Sequence, residues 1–504
     1  MTTPVQQLDL RLVPGALSVW GATLFGVLAG WRPALVLAFV LVIGAAAVWS
    51  LGVARVGAGI VAALALGGGF SFAIAVRAQA VGDHPLARAH ADTYVTATVE
   101  LSDDPRPVKA PGPSRVMVTA ALVEFENSRG ITRSGGAVVV VAPADGWRTL
   151  LPGQRVRFRA AVAEPLHRDL TVATLRAAAE PLWTSRPSLV QRFAGDVRAR
   201  FAAAAEAALP GAAGGLLPGL VVGDTSRLPE DVRDEFKTAG LSHLTAVSGA
   251  NVAIIVGAVL LAARALTVGP RTAVVVAAVA LAMFVVLARP SPSVLRAAVM
   301  GSIGLLGLIT SRRKQAVPAL AAAVIVLLAL YPALAVNMGF ALSVLATAGL
   351  VLVAPTWADW LRGHGWPRAP AEVLAVATAA FAVTAPLVAA LSGTVSLVAI
   401  GANVLVGWVI APITVLGAVS AILASIWLPL GVVVADLTGA PLWWLLWVAH
   451  EAAALPGGSL TVWDGLGGGV VIALVGCGLV LAVWSVRVPG RAGRRTPVRR
   501  SPRD

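Results

Sequence analysis

The sequence predicts a polytopic α-helical membrane protein that carries one inserted, extramembrane β-barrel domain. Three observations point there. Of 504 residues, 58% are hydrophobic and only 13% charged, too little charge to cover the surface of a soluble chain this large. Apolar runs approaching the ~20 residues that carry a helix across about 30 Å of hydrocarbon recur along most of the chain. They lack the period-2 alternation of membrane strands, so they read as helices, which pair their own backbone groups inside a bilayer. Between about 82 and 185, by contrast, short alternating runs are broken by turn residues.

Residues 1–80 hold three apolar helices, near 13–31, 33–53 and 56–76, with Arg32 and Arg55 at the turns. No secretory cleavage pattern precedes them, so the N-terminus reads as retained. Residues 81–186 form the β domain, with strands predicted at 95–101, 115–126, 137–142, 154–162 and 170–175. Asp103-Asp104-Pro105, Pro111-Gly112-Pro113 and Ser134-Gly135-Gly136 supply turns between them. Five short strands in so few residues suit a small OB-like barrel, with a sandwich as the alternative. Segment 187–208 is amphipathic, setting Arg192, Arg198, Arg200 and Glu206 against Leu189, Phe193, Val197 and Phe201. It suits a helix lying in the membrane interface or one covering the β domain.

A second membrane block fills 209–486. Its spans are predicted near 244–266, 272–288, 293–310, 315–331, 334–354, 371–391, 396–427, 430–453 and 466–486. The triplet Arg312-Arg313-Lys314 marks an inside loop, which places residue 243 outside. Seven arginines in the tail after the last span (487–504) supply half of the net charge of +14. Beside a membrane helix they read as an orientation signal or an anionic-lipid contact. The tail lies inside only if 396–427, one broken helix or two short ones, counts as a single crossing. The lone Cys477 excludes an intrachain disulfide.

Polar side chains within such runs are costly, and that cost marks candidate sites. The richest stretch is Gly240-Leu241-Ser242-His243-Leu244-Thr245-Ala246-Val247-Ser248-Gly249-Ala250-Asn251. On one helix, steps of about 100° would place His243, Ser248 and Asn251 on a common face, although Gly249 invites local unwinding. Upstream, Gly223-Asp224-Thr225-Ser226-Arg227 precedes a helix near Pro229 that Asp224 or Ser226 is expected to cap. Pro292, with Ser291 before it, suits the first turn of a helix bearing Arg296. That guanidinium either snorkels to the interface or faces a wet path and holds a phosphate bidentately. Asn337, Ser343 and Thr347 share a face beside Gly339 and Phe340, and Asn403 interrupts the 396–427 run. These side chains either line a path or bond neighbouring helices.

The six histidines have no metal-cluster spacing, and no Gly-x-x-x-x-Gly-Lys-Ser/Thr loop is present. No catalytic residue, metal or cofactor is therefore expected. Asp436 and Glu451 are carboxylates in apolar surroundings, so a proton-coupled small-solute transporter is the competing reading, and an assembly scaffold without transport a third.

The stretch from Gly223 through Gly249 resembles the core signature of the ComEC family of competence DNA-uptake channels. Further matches keep the family's order: residues 292–300 with Arg296, Tyr331-Pro332 leading to Gly339-Phe340-Ala341-Leu342-Ser343, Thr384-Ala385-Pro386-Leu387, then Ser396-Leu397 with Asn403. The resemblance covers about 210–410 and fits the N-terminal helices with an extracellular OB-like module. It implies a bacterial inner-membrane channel that takes up single-stranded DNA beside a DNA receptor, a separate nuclease and a cytoplasmic motor. Membrane lipids and further copies of the chain complete the expected partners. Where the family often carries His after Ser-Gly and one more residue, this chain has Asn251. Many members also end in a metallo-β-lactamase-like nuclease domain, which this chain is too short to contain.

Overall fold

Apolar runs become helices and alternating runs become strands, because each pattern buries its side chains in one geometry only. The computed structural model describes residues 9–51, 57–108, 114–128, 130–245, 247–310 and 316–485, with the backbone alone for 466 and 477–485. The turn at 111–113, Arg55, the triplet 312–314 and the basic tail lie outside the described residues.

Helices α1 (Val13–Ala29), α2 (Trp31–Ser50) and α3 (Gly57–Gly82) come first. Gly30, at φ 87°, makes the break between α1 and α2, a conformation glycine adopts at little cost. A Cβ on Gly67 would fall 2.2 Å from Ser18 Oγ, and one on Gly68 2.8 Å from Val42. Small residues thus let α3 sit between α1 and α2, as membrane helices commonly pack.

α3 runs longer than predicted and delivers the chain into a sheet of β1 (Tyr94–Leu101), β2 (Arg106–Val108), β3 (Arg115–Asn127), β4 (Gly130–Pro143), β5 (Arg155–Ala163), β6 (Thr171–Ala177) and β7 (Trp183–Thr184). Pairing runs β1–β3–β4–β6–β5 and returns from β5 to β1, and only β4–β6 is parallel. β2 and β7 extend β3 and β5; at three and two residues, neither is long enough to show in a sequence pattern. Inward positions alternate along β1, β3 and β5. They enclose Phe125, Phe158 and Trp147, whose ring meets Phe158 edge-on at 4.8 Å.

The second block comprises α4 (Leu189–Ala208), α5 (Ala212–Val222), α6 (Glu230–Thr238), α7 (Gly249–Ala265), α8 (Pro270–Ala288), α9 (Pro292–Ile309) and α10 (Ala316–Leu330). α11 (Met338–Ala348) continues through a π turn into α12 (Ala354–Gly363), and α13 (Arg368–Ser392), α14 (Ala399–Ile426), α15 (Leu428–Asp436), α16 (Gly439–Ala454) and α17 (Gly465–Ser485) follow. Seven helices among the described residues are long and apolar enough to cross a membrane, and α15 with α16, bent by 52°, would make an eighth. The 396–427 run is one continuous helix from Ala399, not two, with Pro412 inside it. Strands β8 (Thr394–Ser396) and β9 (Ser459–Thr461) pair, so the hairpin of α14 with α15 and α16 leaves and returns at one end of the bundle.

α4 keeps part of the expected amphipathic face, with Val197 and Phe201 buried, and departs from it elsewhere. Leu189 and Phe193 are exposed, whereas the Arg198 side chain turns inward and is only 11% exposed. Its Nη1 donates to the carbonyls of Val222 at 2.5 Å and Leu287 at 2.8 Å. A cation here satisfies carbonyls at the C-terminal ends of α5 and α8, where the helix dipole favours it. α4 packs on α5, α14 and α15. α5 itself, which no amphipathic pattern announces, is buried from Ala213 to Val222, as a helix apolar all round must be.

Besides apolar packing, two polar joints among the described residues tie the sheet to the helices. Asp104, in the turn after β1, accepts from Arg289 Nε at 2.9 Å and lies 3.9 Å from Arg198. Arg289 takes a left-handed φ of 67° between α8 and α9 and also reaches Gln191. The second joint is His84, just beyond α3. Its Nδ1 accepts the Leu86 N–H at 3.1 Å, so the ring proton sits on Nε2 and is donated to Ser134 Oγ at 2.7 Å. Burial pushes this imidazole below its ordinary range, opposed by Ser134. The folded protein resists a proton that the unfolded chain accepts, so stability is full above about pH 6.5 and is lost as pH falls below it. Thermal unfolding should shift down between about pH 7.5 and 5.5, and by less in His84→Gln; equal shifts would rule out His84 as the titrating joint.

Candidate functional site

Five segments converge where α7 and α9 begin and the middle of α11 passes. Each start is dictated locally. Ser248 caps α7 by accepting the Asn251 N–H at 3.4 Å, Ser291 caps α9 by accepting that of Val294 at 3.4 Å, and Asn337 caps α11 by accepting that of Phe340 at 3.0 Å. Hydroxyl and amide oxygens satisfy otherwise orphaned backbone donors at such positions. The end of α5 approaches as well. Gly223 ends it at φ 73°, and a Cβ there would meet Val247 at 3.1 Å and the Ala288 carbonyl at 3.4 Å. Ser293 Oγ, donating to the Val247 carbonyl at 2.9 Å, closes the junction.

At its centre lies Arg296, 7% exposed. Its Nε donates to Ser343 Oγ on α11 at 2.8 Å, and Nη1 reaches Met300 Sδ at 3.4 Å. Nη2 lies beside Gly249, where a Cβ would come within 2.5 Å of it. Among the described residues no carboxylate stands within ion-pair distance of this guanidinium. Asn251 is buried next to it; its Nδ2 donates to the Leu220 carbonyl at 2.7 Å, and its Oδ1 accepts from Ser248 at 3.1 Å. The electrostatics are one-sided. Helix N-termini carry partial positive charge, and α7 starts beside this guanidinium, which itself lies about one turn into α9. Such a place attracts an anion.

Ser248, Asn251, Arg296 and Ser343 are thus brought together, with Gly223 and Gly249 giving the room. Phe340 lies under α11, its ring 5.2 Å from that of Trp20. Asn337 acts through its cap and is itself exposed, as is Gly339. Thr347 bonds the Ser343 carbonyl at 2.9 Å.

Other expectations are corrected. His243 does not share a helical face with Asn251. It sits in a separate 3-10 turn, Ser242–Leu244, and is exposed, because Ser248 and Gly249 start a new helix. Asp224 does not cap α6; its Oδ1 closes its own turn by accepting the Ser226 N–H at 3.2 Å and hydroxyl at 2.7 Å. Arg227 pairs with Glu206 of α4. Asn403 donates to the Ala399 carbonyl of its own helix at 2.8 Å, and Pro386 lies within α13. Asp436 and Glu451 are both exposed. His450 meets Glu235 at 2.8 Å, joining α16 to α6. Among the described residues no three His, Cys, Asp or Glu side chains converge as a metal site. Sequence reasoning missed the Leu220 carbonyl, Met300 and Ser293, as well as the Asp104–Arg289 joint; a doubly flanked Arg-Pro in an apolar surround was the available signal for the last.

Fold and site together define a multi-pass helical membrane protein with a buried, carboxylate-free cation at a meeting of helix starts. A family model described as "Competence protein" matches residues 220–487, more than half of the chain and all of this junction. The chain belongs to that family, and membership supports a role in competence, the uptake of DNA. No curated protein and no solved structure matches it.

Replacing Asn251 with Leu strands the Leu220 carbonyl in an apolar place. Stability in detergent should fall by about 1–3 kcal/mol, read from the thermal midpoint. An unchanged midpoint would mean that the amide contributes nothing to the junction.

Proposed function

We propose that this protein forms the inner-membrane channel through which single-stranded transforming DNA reaches the cytoplasm. The observation that carries the reading is the Arg296 guanidinium, buried without a carboxylate among the described residues, held by Ser343 of α11 and set beside the starts of α7 and α9. A strand bearing one charge per nucleotide cannot enter hydrocarbon unpaired. It needs a wet path with hydrogen-bonding groups and few cations, so that each phosphate binds firmly enough to enter and weakly enough to leave.

In this reading an arriving phosphate takes the free edge of Arg296, replacing the weak Met300 contact. Ser343 fixes the guanidinium so that its remaining donors point to one place. Ser248, Asn251 and Ser343 supply uncharged partners for the sugar-phosphate oxygens, and Asn337, exposed at its cap, continues the lining. His243, exposed in its turn, stands upstream on the same path. One cation in place of a cluster keeps the site from trapping the polyanion.

Pairings that close from β5 onto β1, with β4 and β6 parallel, support an OB-like barrel at 81–186, outside the membrane. A DNA receptor, a separate nuclease and a cytoplasmic motor are the expected partners, and lipids surround the helices. Asp436 and Glu451, the carboxylates of the competing proton-coupled reading, are both exposed and lie apart from this junction.

The test is uptake in cells. Deleting the gene should abolish internalisation of labelled DNA while surface binding persists. Arg296→Gln, inserted normally in the membrane, should lower internalisation at least about tenfold, the cost of losing one charged phosphate contact. Normal internalisation in the deletion strain would overturn the channel, and normal uptake by Arg296→Gln would remove Arg296 from the path.

A further inference from the structure

Away from this junction, α1 and α3, which precede the family match, border with α10 a cavity of about 360 Å³. Its wall on α3 includes Ala65, Gly69, Ala73 and Arg77, four residues apart in turn and so on one face of the helix. Thr23 of α1 and Leu328 of α10 stand opposite. The Thr23 hydroxyl is already bonded to the Val19 carbonyl at 2.7 Å, which leaves Arg77 as the charged group of the lining. Among the described residues Arg77 makes one stretched bond, from Nη2 to the Ala329 carbonyl at 3.5 Å, and no carboxylate pairs with it.

The dimensions select an occupant. From Ala65 to Arg77 the wall runs roughly 18 Å at 1.5 Å per residue, close to one leaflet of a hydrocarbon core about 30 Å thick. Arg77 lies about one and a half turns before the end of α3, a depth from which a long side chain reaches the headgroup layer. An apolar groove one leaflet deep, with a cation at its end, fits an acyl chain beneath a phosphate. We infer that this groove holds one phospholipid of the bilayer, its acyl chain against Gly69 and its anionic headgroup on Arg77.

The inference does not depend on the channel reading, because no residue of the junction takes part. The bound lipid would fill the seam between the N-terminal helices and the competence block, where helix contacts alone leave a void. Basic sites between membrane helices favour anionic headgroups.

Full-length protein purified from membranes containing phosphatidylglycerol and phosphatidylcholine would be analysed by native mass spectrometry. Wild type should retain one phospholipid per chain through mild delipidation, with phosphatidylglycerol preferred about fivefold, the factor matching about 1 kcal/mol per basic residue. A Cβ on Gly69 meets nothing within 4 Å, so Gly69→Leu fits without strain, fills the groove and should abolish retention. Arg77→Gln should keep a lipid but lose the headgroup preference. Wild type that retains only detergent, or Gly69→Leu that retains the same lipid, would overturn the site; an unchanged preference in Arg77→Gln would overturn the role of Arg77.

Discussion

A guanidinium set between the starts of α7 and α9 and the middle of α11, with no carboxylate beside it among the described residues, is the constraint on which the second half of this molecule is built. Arg296 cannot be buried bare, so Ser343 must lie across from it and Gly249 must stay without a side chain. Ser248 must then end the preceding turn and begin α7, Asn251 must hold the Leu220 carbonyl, and Gly223 must let α5 end close by. Five segments far apart in the chain are fixed by that one requirement. The family match spans the same segments.

The sheet is a separate body with its own aromatic core, joined to this arrangement at few points. Asp104 binds the turn from which α9 departs, and His84 binds the chain as it leaves α3. Both are polar contacts of buried or half-buried groups, stronger than surface pairs and sensitive to charge. Asp104 thus links the sheet to the turn just before the helix that carries Arg296.

Much of this was legible in the sequence. Alternation along 154–162 and 115–126 announced β5 and β3, and apolar length announced most spans. Ser291 before Pro292 announced the cap of α9, and the cost of placing charge in hydrocarbon singled out Arg296. What sequence could not supply were contacts across helices. The partner of Asn251 is a backbone carbonyl on α5, and backbone leaves no mark on residue type. The same holds for Arg198, read as a solvent-facing charge until its two carbonyl acceptors were in view. His243 failed differently. A helical wheel assumes a continuous helix, and Ser248 interrupts it.

The central claim is that water, and then a phosphate, reaches the guanidinium. Thiol accessibility reads this directly. In a background with Cys477 replaced by Ser, Ser343→Cys in intact membranes would be exposed to a charged, membrane-impermeant thiol reagent with and without single-stranded DNA. The account expects the thiol to react and single-stranded DNA to slow the reaction severalfold. A thiol that stays unreacted, or one whose reaction DNA leaves unchanged, would contradict it.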